Sequence, residues 1–233
     1  MTRLDFIPGT LCDERVWSRL APLLGEGFEL NFVPLYKARS RLQMQELIAA
    51  HSAPASHLIA FSLGAYLAIE YALAHPERVK SLVLIANSAK GLEPAEVQAR
   101  ERIVTMLERN AYAGMSNARL RELLHDIHLN DPSIVGIIQD MALELGKEVL
   151  LAQFSSSIDR PDLMDRLAEL TCPVLIVGAA SDRIVNAADL SEMATRFHQA
   201  SLHIINDDTG HMIPLEAPQA LAADMLAFYR EHA

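Results

Sequence analysis

The chain has 233 residues, long enough to bury one full-sized core or one domain carrying an insertion. Hydrophobic residues make up 51% and charged residues 21%, which excludes the disordered and fibrous classes. A net charge of −10 without a long block of like charge argues against nucleic acid or an anionic membrane surface as partner, and favours a small-molecule substrate.

The segment Met1–Pro8 is too short and polar for a signal sequence, and no apolar run approaches the roughly 18 residues of a membrane span. Cys12 and Cys172 stand beside different predicted elements, so neither a disulfide framework nor a zinc ligand set is available. The cytoplasm is the expected location, and the oligomeric state stays open.

In chain order, short apolar runs occur at Leu4–Ile7, Leu30–Val33, His57–Phe61, Ser81–Ala86, Pro173–Val177 and Leu202–Ile205. Their continuous hydrophobicity predicts strands buried on both faces, as in a parallel sheet covered by helices. Amphipathic helical spacing fills Arg41–His51, Leu63–His75, Asp189–Phe197 and Pro218–His232. The alternation predicts an α/β fold with six mostly parallel strands.

Between about residues 89 and 160 the strands disappear. Four helices are predicted there, over Pro94–Asn110, Asn117–His125, Pro132–Leu145 and Lys147–Ser157, with Ser116 and Asp131 as N-caps and Pro94 and Pro132 at first helical positions. The expectation is a core of residues 1–88 and 160–233 carrying an all-helical cap, 89–159.

Ala60-Phe61-Ser62-Leu63-Gly64 lies between a predicted strand and a predicted helix. A turn this sharp strains its central residue and requires small residues two positions before and after, as Ala60 and Gly64 are. It would lift the Ser62 hydroxyl to a helix N-terminus, where developing negative charge is favoured. Two readings stay open on this motif alone, a helix N-cap and an acyl-transfer nucleophile.

With Leu58-Ile59 before it, and with His75-Pro76-Glu77-Arg78-Val79 and Leu82–Ile85 after it, this segment resembles the nucleophile region of the α/β-hydrolase family. Cys172–Gly178 leading to Ser181-Asp182 resembles the family's acid loop, and Gly210-His211-Met212-Ile213-Pro214-Leu215-Glu216-Ala217-Pro218 its histidine loop. The resemblance spans nearly the whole chain outside the helical stretch. It implies the α/β-hydrolase fold with strand order 2-1-3-4-5-6, Ser62 as nucleophile, Asp182 as orienting acid and His211 as base. Phe6-Ile7-Pro8-Gly9-Thr10-Leu11 resembles the loop that supplies an oxyanion-hole amide, although Pro8 stands where many relatives have His. Thr10 is the donor by motif position, Leu11 if the loop is shifted, and Leu63 is the second donor. Each such donor is typically worth about 3 kcal/mol in the transition state.

A serine hydrolase of this type needs no cofactor and cleaves an ester or thioester through an acyl-enzyme. A carbon–carbon bond hydrolase, a lyase using the triad for proton abstraction, and a receptor-like ligand-binding protein with little turnover are the alternatives. Met106, Met115 and Phe154 are candidate substrate-pocket residues, with Tyr112 and Met141 beside them. His125, His128, His203, Asp207 and Asp208 form no complete ligand set at metal spacing, so no metal is expected. Tyr36–Arg41 is a local basic patch that reads as a solvated helix start or an anion contact. Trp17 is expected as a packing anchor, and Cys12 lacks the turn a nucleophile requires.

Overall fold

A computed structural model describes residues 1–206 and 208–232. Its six-stranded sheet runs in the order β2-β1-β3-β4-β5-β6 with every pairing parallel. The strands are β1 (Thr2–Ile7), β2 (Phe28–Phe32), β3 (Ser56–Phe61), β4 (Val79–Ile85), β5 (Val174–Ala179) and β6 (Ala200–Ile205). This is the α/β-hydrolase fold class expected from the sequence.

The central strands are mostly apolar because both faces are covered, with Asp5, His57 and Ser81 as buried polar exceptions. Residues alternate across the sheet: Phe6, Ile59, Phe61, Val83, Ile85, Leu175 and Val177 enter one core, while Ile7, Leu58, Ala60, Leu82, Leu84, Val174 and Ile176 enter the other. Trp17 sits in the first core, edge-on to Phe6 with centroids 5.0 Å apart, as its anchor role required. The edge strand β6 instead alternates exposed and half-buried residues. Three helices, α1 (Arg41–His51), α2 (Leu63–Ala74) and α6 (Ala187–Arg196), supply residues to the second core. The last helix, α8 (Pro218–His232), covers the first through Leu221, Met225 and Phe228.

Between β4 and β5 the chain forms α3 (Pro94–Arg109), α4 (Asn117–Leu123) and α5 (Pro132–Ser155). Ser116 and Asp131 cap as expected, accepting from the amides of Arg119 and Ser133. As expected, α5 is two helical segments that meet at Gly146, whose φ of 75° and ψ of −175° interrupt the helix between Leu145 and Lys147. No helix among the described residues is long and apolar enough to cross a membrane.

Because the strands are parallel, their carboxyl ends share one edge of the sheet, and the loops after β1, β3 and β5 open there. Gly64 ties two of these loops together. A Cβ there would lie 2.5 Å from the carbonyl oxygens of both Ile7 and Pro8, and backbone cannot yield as a side chain would. A Cβ at Gly136, in α5, would meet nothing within 4 Å. Gly64→Ala is therefore expected to cost about 3 kcal/mol or more, lowering Tm by roughly 6–12 °C. Gly136→Ala should raise stability by about 0.4–1 kcal/mol. Thermal melts of the two variants check the contrast; equal and small shifts would contradict it.

Candidate active site

The turn from β3 into α2 is completed by Ser62, whose φ is 52° and ψ −118°, a strained conformation for a residue with a Cβ. The Ser62 amide donates to the Ile85 carbonyl at 2.9 Å, which fixes the turn to β4. Ser62 occupies the N-cap position of α2, yet its side chain caps nothing. Its Oγ lies 3.0 Å from His211 Nε2 instead.

Asp182 follows β5 in a tight turn. Its Oδ1 accepts from the amides of Ile184 (2.7 Å) and Val185 (3.1 Å), leaving Oδ2 to accept from His211 Nδ1 at 2.8 Å. A carboxylate only accepts, so Nδ1 carries the proton and Nε2 is free to take one from Ser62. The side chains of His211 and Asp182 are 4% and 1% exposed, which keeps water from competing for this relay. Ser62, Asp182 and His211 are thus brought together in hydrogen-bonding sequence.

The loop holding His211 is clamped from two sides. Its amide donates to the Leu123 carbonyl at 2.8 Å, and a Cβ at Gly210 would lie 2.6 Å from the His125 amide nitrogen, so the loop packs directly on the end of α4. From beneath, the buried carboxylate of Glu216 accepts from the amides of His125 (2.8 Å), Gly210 (3.1 Å) and Met212 (2.9 Å). Burial raises the pKa of this carboxyl, while its backbone donors oppose the shift. Glu216 belongs to the segment that carries His211, but its role was not read from the sequence. Its acceptance of amides on both sides of the histidine is the signal that was missed.

Leu63 directly follows Ser62, and the loop carrying Thr10 comes up against Ser62 at Gly9, where a Cβ would lie 3.2 Å from Ser62 Cβ. Among the described residues neither amide has a protein acceptor, and the Leu63 amide is one of the free donors at the start of α2. The fallback donor Leu11 is corrected: its amide donates to Gln153 Oε1 at 2.7 Å and is unavailable to an oxyanion. Gln153, fully buried on α5, was not anticipated. It reaches across from the helices between β4 and β5 to hold the loop in which Leu11 adopts a positive φ of 55°.

Of the proposed pocket residues, Met115 packs with Leu11 and Ala142 beside this loop, and Phe154 directly follows Gln153. Met106 is not brought to the site. It is 55% exposed and lines a shallow surface depression with Glu101, Arg102 and Arg109, so its assignment to the pocket is corrected. The Cys12 thiol donates to the Thr10 carbonyl, and burial pushes its pKa up to about 12, so it is not a nucleophile. In the basic patch, Arg41 is paired with Glu70 and Asp159, while Arg39 bonds local carbonyls at the start of α1. His203 is bonded to Asp224, and Asp207 lies outside the described residues.

The profile of the alpha/beta hydrolase family matches residues 6–224. The chain belongs to that family. Among similar proteins of this family, a 2-hydroxy-6-oxononadienedioate/2-hydroxy-6-oxononatrienedioate hydrolase of Pseudomonas putida is 28% identical over 66% of the chain, and one of Burkholderia vietnamiensis is 25% identical over 75%. The matches span 56% and 62% of those relatives' own lengths. A pimeloyl-[acyl-carrier protein] methyl ester esterase of Nitrosospira multiformis is 24% identical over 91% of the chain and 83% of its own length. A thermophilic esterase of Thermogutta terrifontis, solved with malate bound, superposes with a TM-score of 0.89 at 20% identity, covering 100% of this chain and 91% of the esterase.

In this α/β-hydrolase, Glu216→Gln replaces an acceptor by an amide facing backbone N–H groups. The loss of stability should be about 1–3 kcal/mol, with a fall in kcat as the His211 loop loosens. Urea denaturation and steady-state kinetics measure the two effects; unchanged values for both would contradict the clamp.

Proposed function

We infer that this hydrolase cleaves a small-molecule ester or thioester through an acyl-enzyme on Ser62. The observation that carries this reading is the relay in which a buried His211 stands 3.0 Å from the Ser62 hydroxyl and 2.8 Å from the Asp182 carboxylate. Ser62 Oγ attacks the carbonyl carbon as His211 Nε2 takes its proton. The carbonyl oxygen becomes an oxyanion that accepts from the free Thr10 and Leu63 amides. Collapse of this intermediate expels the alcohol or thiol, which takes the proton from His211 and leaves the acyl group on Ser62. Water then gives its proton to His211, adds to the acyl carbon, and releases the carboxylic acid while Ser62 regains its proton.

Residues 89–159 act as a cap in this reading, with Gln153 shaping the oxyanion loop from above. A second reading, cleavage of a keto-acid carbon–carbon bond by the same residues, is favoured by the names of the hydrolase relatives, whose stated substrates are hydroxy-oxo dioates. Turnover of p-nitrophenyl esters and acyl thioesters of increasing chain length, with Ser62→Ala as control, tests the first reading. The expected result is multiple turnover by the wild-type protein and a loss of roughly 10⁴-fold or more in kcat for Ser62→Ala. Equal turnover by both proteins would refute it, and saturable binding without product would favour a receptor.

A further inference from the structure

The helices between β4 and β5 carry two arginines whose surroundings are unusual for cations. Arg100, on α3, and Arg160, in the segment after α5, are both partly buried, and the Arg160 charge helps to lower the Arg100 pKa. Desolvation is the larger cause for each, and it brings the Arg100 pKa down to about 10. Desolvated cations normally carry a carboxylate partner. Among the described residues, neither guanidinium has a carboxylate oxygen within 4.0 Å.

The acids in the vicinity are otherwise engaged. Glu96 Oε2 accepts from the Glu93 amide at 3.0 Å to close the capping box of α3, and Asp162 Oδ1 accepts from the Met164 amide at 2.8 Å. Arg100 Nη1 donates to the neutral Ser157 Oγ at 2.6 Å and its guanidinium carbon lies 5.7 Å from the centroid of the Phe154 ring, so its nearest partners carry no charge, and Glu96 acts on it only from beyond ion-pair distance. The Arg160 guanidinium lies over the Tyr66 ring, 4.9 Å from its centroid, and its buried Nε has no hydrogen-bond partner. One further donor is orphaned nearby: Gln153 Nε2, one helical turn before Ser157, is buried without an acceptor.

These groups are linked to the candidate active site through Tyr66 and Gln153. Tyr66, beneath Arg160, is one turn along α2 from Ser62 and donates its amide to the Ser62 carbonyl at 3.2 Å. Gln153 holds the Leu11 amide of the oxyanion loop at 2.7 Å, and Ser157, which receives Arg100, follows it by one turn. Two cations without an ion-paired acid, and the orphaned donors Arg160 Nε and Gln153 Nε2, form a surplus of donors among the described residues that an oxyanion would satisfy. Guanidinium forks match the paired oxygens of a carboxylate or a phosphate.

We propose that Arg100 and Arg160 form a subsite for an anionic group of the substrate, so that the ester attacked at Ser62 carries a carboxylate or phosphate elsewhere on its acyl or alkyl chain. The proposal rests on the ester-hydrolase reading for its kinetic test, and on binding alone for its second test.

In the first, kcat/KM is compared for mono-p-nitrophenyl glutarate and the uncharged p-nitrophenyl pentanoate within each protein. The wild-type ratio should favour the anionic ester by at least about tenfold. The ratio should fall towards one in Arg100→Gln and Arg160→Gln, and stay at the wild-type value in the control Arg166→Gln, an exposed arginine paired with Glu169. A wild-type ratio near one, or a ratio undiminished in both variants, overturns the proposal.

In the second, calorimetry measures glutarate, inorganic phosphate and neutral glutaramide binding to the wild-type protein and to both variants. Saturable binding of glutarate or phosphate, but not glutaramide, that weakens at least tenfold in the variants supports the subsite, and the tighter of the two anions identifies its chemistry. Binding of neither anion by the wild-type protein overturns it. If no ester is hydrolysed, the ester-hydrolase reading fails, and the binding result still decides the anion site.

Discussion

The contact between Gly64 and the carbonyl oxygens of Ile7 and Pro8 sets the geometry of everything around Ser62. Strand β3 turns into α2 within one residue, and only a glycine two positions on allows the helix to start against the end of β1. The left-handed Ser62 costs roughly 1–3 kcal/mol in isolation, and the buried central strands, together with the amide bond to Ile85, hold it in place. The same contact places Leu63 and the loop carrying Thr10 next to each other. Ser62 and the candidate oxyanion donors therefore share one packing constraint.

Buried charge follows two opposite rules in this molecule. The carboxylates of Asp182 and Glu216 each accept from three donors, one aligning the imidazole of His211 and the other fixing the loop that carries it. Arg100 and Arg160 are left without acid partners. Desolvation is tolerable where several donors meet the buried charge, and it leaves unmet binding capacity where they do not.

What could be read in the sequence had a local period or a local motif. The alternation of Leu58, Ile59, Ala60 and Phe61 between two cores is a direct consequence of strand geometry, as is the capping by Ser116 and Asp131 of helix-end chemistry. Ser62, Asp182 and His211 were legible because each follows a strand in a recognisable loop. Gln153 was not, because it meets Leu11 across 142 residues and no spacing encodes that meeting. Thr10 and Leu11 could not be separated in the sequence for the same reason. Met106 went astray because an apolar residue on a helix can face either way, and here the outward face also carries Arg102 and Arg109. The arginine pair was invisible because Arg100 and Arg160 are far apart in the chain, and the absence of acid partners is a property of the fold alone.

The central claim is that Ser62 is the nucleophile, and the most direct measurement is the site of covalent capture. The protein is incubated with a fluorophosphonate, digested, and mapped by peptide mass spectrometry. A single adduct on Ser62, absent from the His211→Ala protein on the same time scale, is the expected result. An adduct on another residue, or labelling of Ser62 at the same rate without His211, would contradict it.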